Sequence, residues 1–148
     1  TMATTRSFLY ADFGTAGIWR WNGTTWTQIA QSNPEAMTAS GSVLYGDFGT
    51  GGVWMWDRTE WNQITGSNPE ALAATDSSLY ADFGPGGVGY GGIWMWDGTS
   101  WNQITGSNPE AMTASGSVLY ADFGPSGVGY GGIWMWNGIS WNKLWGYP

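Results

Sequence analysis

Aromatic rings, amides and carboxylates recur along this chain in a pattern that suits a polar, ring-shaped ligand. Two glycine-rich stretches, Gly84 to Gly92 and Gly124 to Gly132, each carry one tyrosine, Tyr90 and Tyr130. The motif Asn-Pro-Glu supplies Asn33 and Glu35, Asn68 and Glu70, and Asn108 and Glu110. Trp56, Trp96 and Trp136 close the element Trp-Met-Trp, and Asp12, Asp47, Asp82 and Asp122 each precede a Phe-Gly turn. A sugar lays its C–H face on an aromatic ring, while its hydroxyls need paired donors and acceptors. The candidate ligand-binding residues are therefore Tyr90, Tyr130, Trp56, Trp96, Trp136, Asn68, Glu70, Asn108 and Glu110.

Each of these residues also has a structural reading. Tyr90 and Tyr130 could pack their loops onto a neighbouring element. Trp54, Trp94 and Trp134 read as core, whereas Trp56, Trp96 and Trp136 could reach wet edges. An aspartate before an aromatic-glycine turn most often accepts hydrogen bonds from its own loop.

Other chemistries are poorly served. The chain has no histidine, the commonest general base and metal ligand, and no cysteine. The lack of cysteine fits a cytosolic protein and a bacterial secreted one alike. Net charge is −7, and Arg6, Arg20, Arg58 and Lys143 are the only cations. Four scattered cations make no stripe for nucleic acid and no arginine cluster for a carboxylate substrate. Glycoside hydrolysis needs two carboxylates in different surroundings, whereas these recur in near-equivalent ones. We expect a protein that is not an enzyme and uses neither metal nor cofactor. No stretch approaches the ~20 apolar residues of a membrane helix, and no secretion leader is read.

The elements that position these groups are repeats. Tyr10, Tyr45, Tyr80 and Tyr120 are spaced 35, 35 and 40 residues apart in 148 residues. Such a period marks a solenoid, a propeller or an array. In the second repeat the pattern predicts four strands, Ala36 to Ser40, Val43 to Phe48, Val53 to Trp56 and Trp61 to Thr65. Asn22-Gly23, Asp97-Gly98 and Asn137-Gly138 are hairpin signals. Side chains alternate along a strand, and here both faces are largely apolar. A small sheet that is apolar on both sides must be wedged between others, as in a propeller blade. The expectation is an all-β propeller of four-stranded antiparallel blades, one domain over 1–148 with blades near 1–33, 34–68, 69–108 and 109–148.

The order of apolar strand, Leu-Tyr strand, Ile-Trp-x-Trp strand, Asn-Gly or Asp-Gly turn and Trp-x-x-Ile-x-Gly strand resembles the tectonin-type propeller lectins. It is loosely similar to kelch blades. The most specific part is Trp61 to Gly66 and Trp101 to Gly106. The resemblance implies multivalent, non-catalytic glycan binding in pockets between blades. Tectonin-type lectins usually close with more than four blades, so a tight four-bladed ring and a larger ring shared by copies of the chain both stay open. The apolar ending Leu144-Trp145-Gly146-Tyr147-Pro148 favours a homo-oligomer. The alternative function is a structural or protein-interaction scaffold, natural or engineered, without a small ligand.

Overall fold

Turn chemistry divides the chain into short strands. A computed structural model describes residues 1–87, 89–125 and 131–148. Four four-stranded antiparallel meanders follow one another. Blade one comprises β1 (Met2–Thr4), β2 (Leu9–Asp12), β3 (Ile18–Trp21) and β4 (Trp26–Ala30). Blade two holds β5 (Ala36–Ser40), β6 (Val43–Asp47), β7 (Val53–Trp56) and β8 (Trp61–Thr65). Blade three holds β9 (Ala71–Ala74), β10 (Leu79–Asp82), β11 (Ile93–Trp96) and β12 (Trp101–Thr105). Blade four holds β13 (Ala111–Ser115), β14 (Val118–Asp122), β15 (Ile133–Trp136) and β16 (Trp141–Trp145). Blades one and two form one compact unit, Thr1–Pro69, and blades three and four another, Glu70–Pro148.

The last hairpin of every blade is built the same way. The side-chain oxygen of Asn22, Asp57, Asp97 or Asn137 accepts backbone N–H groups two and three residues on, at 2.8–2.9 Å. This Asx turn demands a left-handed residue next, which is glycine in three blades. In blade two it is Arg58, at φ 88°, and a non-glycine there costs about 1–2 kcal/mol. Four N–H and O–H donors hold the exposed Asp97 carboxyl, led by the Ser100 and Thr99 amides, and its pKa falls to about 2.

The sequence pattern places Phe48 at the end of its strand, but β6 stops at Asp47. Asp47 Oδ1 accepts the Gly49 amide at 2.9 Å and turns the chain into a short 3-10 segment, Gly49–Gly51. Asp12, Asp82 and Asp122 accept the equivalent amides of Gly14, Gly84 and Gly124 at 2.8–2.9 Å. These aspartates organise their own loops, as such residues commonly do.

A β-bulge recurs between the third and fourth strands of each blade. In blade one the register runs from Ile18 opposite Ala30 to Trp19 opposite Gln28, passing over Ile29. Ile64, Ile104 and Leu144 are passed over in the same way. A bulge takes its residue out of the ladder and re-aims it. In the first unit the Ile29 carbonyl accepts the Trp61 indole N–H of the next blade at 3.0 Å. In the second unit the Ile104 carbonyl accepts the Trp141 indole at 3.1 Å. One hydrogen bond thereby couples each outer strand to the blade that follows within its unit.

Between the blades of each unit lies an apolar layer. Tyr10, Ile18, Met37, Leu44 and Trp56 form it in the first unit, with Phe48 and Trp61 packed against it. Ala73, Tyr80, Ile93, Leu119 and Ala121 form it in the second, joined by Trp136 and Trp141. Within each unit the facing apolar sides of two sheets are packed as neighbouring propeller blades pack.

Candidate functional site

At the end of the blades where the second and third strands join, the apolar layer opens into a cleft. In the first unit the cleft is about 480 Å³ and is lined by Ala30, Ser32 and Asn33 of blade one and Phe48, Gly51, Trp54 and Trp61 of blade two. In the second unit a smaller cleft, about 230 Å³, is lined by Thr105 and Ser107 of blade three and Phe123, Trp134 and Trp141 of blade four. The composition repeats: two indoles and a phenyl ring on one wall, small polar residues on the other.

The rings are held rigidly. Phe48 meets Trp61 edge-on at 5.7 Å, and Phe123 meets Trp141 likewise at 5.7 Å. Trp54 donates its indole N–H to the Gly51 carbonyl at 2.9 Å, and Gln63 donates to the same oxygen at 3.0 Å. In blade three the matching pair, Trp94 and Gln103, both donate to Gly91. Gln103 also donates to the Gly87 carbonyl and accepts the Gly89 amide, tying down part of the longer loop. Blade four has Lys143 at this position, its ammonium 5.5 Å from the centre of the Trp134 ring. A cation over an indole face is attractive.

In blades two and four the expected roles of the two tryptophans in Trp-x-Trp are exchanged. Trp56, expected at a wet edge, is 9% exposed within the apolar layer, and Trp136 packs in the corresponding layer. The indole nitrogens of Trp56, Trp96 and Trp134 are buried without a hydrogen bond. Trp54 and Trp134, expected in the core, line the clefts. Both members of the pair share a face, because alternate residues of a strand do. Position along the strand separates them: Trp54 stands nearer the loop, whereas Trp56 lies opposite Trp61 two pairs further on. Trp61 and Trp141 escaped the sequence reading as site residues, although their recurrence beside the Asx turn was visible.

Tyr90 is 86% exposed at the tip of its loop, so it does not pack on a neighbour. Tyr130 lies outside the described residues. Asn68 and Asn108 are exposed, as are Glu70 and Glu110. The Glu70 and Glu110 carboxylates sit against the α-carbons of Gly84 and Gly124, as Glu35 does against Gly49. Asn33, with its amide nitrogen turned inward, donates to both Asp12 oxygens at 2.9 and 3.1 Å. The cleft's polar wall is thus braced by the loop aspartate of blade one.

Asp47 and Asp82 are 3% exposed, and burial raises the pKa of both, with Glu35 and Glu70 adding to the rise and the glycine amides opposing it. Their surroundings match closely.

Similar chains among solved structures share the fold. The CRINKLY WD40 ectodomain of the Arabidopsis thaliana receptor kinase ACR4 matches with a TM-score of 0.62 at 11% identity, over 92% of this chain and 48% of that one. The Niastella koreensis GH74 enzyme matches with a TM-score of 0.61 at 18% identity, over 96% of this chain and 29% of that one. The computationally designed Ika4 protein matches with a TM-score of 0.57 at 16% identity, over 91% of this chain and 88% of that one. The chain thus spans about half of the first and less than a third of the second. No family model and no curated protein matches the sequence. Fold and repeat together define a β-propeller protein with tryptophan-rich, four-stranded blades; at these identities the likeness is one of fold.

Proposed function

We propose that the protein is a multivalent, non-catalytic carbohydrate-binding propeller of the tectonin-like kind. The observation that carries this reading is the repeated cleft, with Trp54, Trp61 and Phe48 facing Ser32 and Asn33, and Trp134, Trp141 and Phe123 facing Thr105 and Ser107. Fixed indoles offer a sugar's C–H face a surface that needs no ordering on binding. The hydroxyls and amide opposite suit its O–H groups. Several weak sites on one chain sum to useful avidity on a repeated glycan. The matching surroundings of Asp47 and Asp82 argue for binding over glycosidic cleavage, which needs an acid and a base set apart by environment.

Glycan-array screening followed by titration tests the reading. Trp54→Ala should weaken the first-unit site by at least about tenfold while leaving the second. Silence of the wild-type chain across diverse glycans would overturn the proposal and favour the scaffold reading. That alternative draws support from the near identity of repeats two to four.

We propose further that copies of the chain associate head to tail. Phe13 and Trp26 of blade one are 55% and 41% exposed, while the equivalent Phe48 and Trp61 are partly buried against blade one. Leu144, at the bulge position whose carbonyl accepts an indole in Ile29 and Ile104, is 53% exposed. A second copy presenting Leu144 to Trp26 would repeat the contact already used inside each unit. Native mass measurement should give a multiple of the chain mass that Trp26→Arg and Leu144→Asp each reduce; a single-chain mass for the wild type rejects the association.

A further inference from the structure

Three of the four cationic side chains gather in the first unit, although nothing in their sequence spacing suggests it. Each stands where sibling repeats carry an uncharged or acidic residue. Arg6 sits in the first turn of blade one, where blade three has Asp76 and the others Gly41 and Gly116. Arg20 lies on β3, where the other blades have Met55, Met95 and Met135. Arg58 occupies the left-handed turn position held elsewhere by Gly23, Gly98 and Gly138.

A cleft of about 400 Å³ lies between Arg6 and Arg58, its lining completed by Thr5, Ser7, Phe8, Gly41 and Ser42. It is built from the turns at the opposite end of the strands from the indole clefts. The Arg20 guanidinium stacks over the Phe8 ring at 4.7 Å, which places a third positive charge behind the cleft wall. The Tyr10 hydroxyl feels both Arg20 and Arg58, which offset part of the rise that burial imposes on its pKa.

Among the described residues these charges have no carboxylate partner. Among the described residues the one ion pair joins the Thr1 ammonium to Asp12 at the other end of blade one. Asp57, adjacent to Arg58, commits an oxygen to the Thr59 hydroxyl and the Thr59 and Glu60 amides. In a chain of net charge −7, three unpaired arginines around one hollow are out of keeping with the rest of the surface. Blade two also keeps an arginine in a backbone conformation for which its siblings use glycine.

We propose that this cleft binds a tetrahedral oxyanion, phosphate or sulfate. Arg6 and Arg58 would present guanidinium forks to its oxygens, the geometry in which arginine outperforms lysine. The hydroxyls of Ser7 and Ser42 supply neutral donors around them. Desolvation by the Phe8 side of the hollow strengthens each charge-assisted bond.

The test titrates the full chain at low ionic strength with sodium sulfate and with inorganic phosphate, following backbone amide resonances of Thr5 to Phe8 and of Gly41 and Ser42. Saturable shifts at these amides are expected. The variant Arg6→Asp/Arg58→Gly takes both residues from sibling blades, so it should fold as the parent does. It should weaken binding by at least about tenfold. Arg58→Gly alone should raise the unfolding midpoint, which separates lost binding from lost structure. A sulfated disaccharide and its desulfated form make the third arm. Tighter binding of the sulfated sugar than of free sulfate, at the same amides, assigns the anion to a glycan; equal binding assigns it to the free ion. Shifts reproduced by chloride at matched ionic strength, or unchanged in the double variant, would overturn the proposal.

Discussion

Gly52→Ala is expected to lower stability by about 3–5 kcal/mol, enough to unfold a marginal unit. Gly52 sits at φ 76° and ψ −166°, a region that only glycine occupies at ease. An added methyl would also run into the Thr65 carbonyl oxygen and lie 2.7 Å from the Gly66 α-carbon. Both obstacles are backbone of the adjacent strand, so no side-chain rotation relieves them. Gly92 meets Thr105 and Gly106 in the same way in blade three, and the same loss is expected there. Gly51 is the internal control. Its φ lies outside the left-handed range and its nearest neighbour would be the Phe48 side chain at 3.5 Å, so Gly51→Ala should cost less than about 1 kcal/mol. Urea unfolding of the two variants reads the contrast directly; equal midpoints would refute the close approach of loop and strand.

Trp61→Ala is expected to cost about 3–5 kcal/mol, at the lower end because the ring is half-buried. The substitution removes an edge-on contact with Phe48, a tilted contact with Trp56 at 5.5 Å and the bond to the Ile29 carbonyl. Trp61→Phe keeps an aromatic ring and deletes the donor, for which about 1 kcal/mol is expected. Trp26 holds the same repeat position in blade one, where it touches Phe13 and Trp21 and is 41% exposed. Its replacement by alanine should therefore cost about half as much. If Trp26→Ala and Trp61→Ala proved equally costly in solution at concentrations where the chain is a single copy, the strut between blades would not be the source of the loss. The Trp61 variant should also lose the first-unit cleft, since this indole forms part of its wall.

Much of this architecture was legible in the chain. The Tyr period and the Asn-Gly and Asp-Gly hairpin pairs mark the meanders, and β5, β7 and β8 begin and end where the pattern of apolar residues and turns predicts. The second strand was read one residue too long, since the Asp47 side chain captures the Gly49 amide and bends the backbone before Phe48. That bond is local, but its competition with strand pairing is decided by geometry the residue types do not express. The bulges at Ile29 and Leu144 were equally hidden, since residue type does not mark which position drops out of the ladder.

The sequence by itself determined the blade: the face each side chain takes, the turn at each end, and the need of a two-sided apolar sheet for neighbours. Tertiary structure decided which indole of Trp-x-Trp is sealed in and which is left at an opening, because alternation specifies a face and says nothing of depth beneath the next blade. It also brought Arg6, Arg20 and Arg58, from three separate elements of two blades, around one hollow. Proximity of that kind follows from how blades pack, and spacing along the chain carries no record of it.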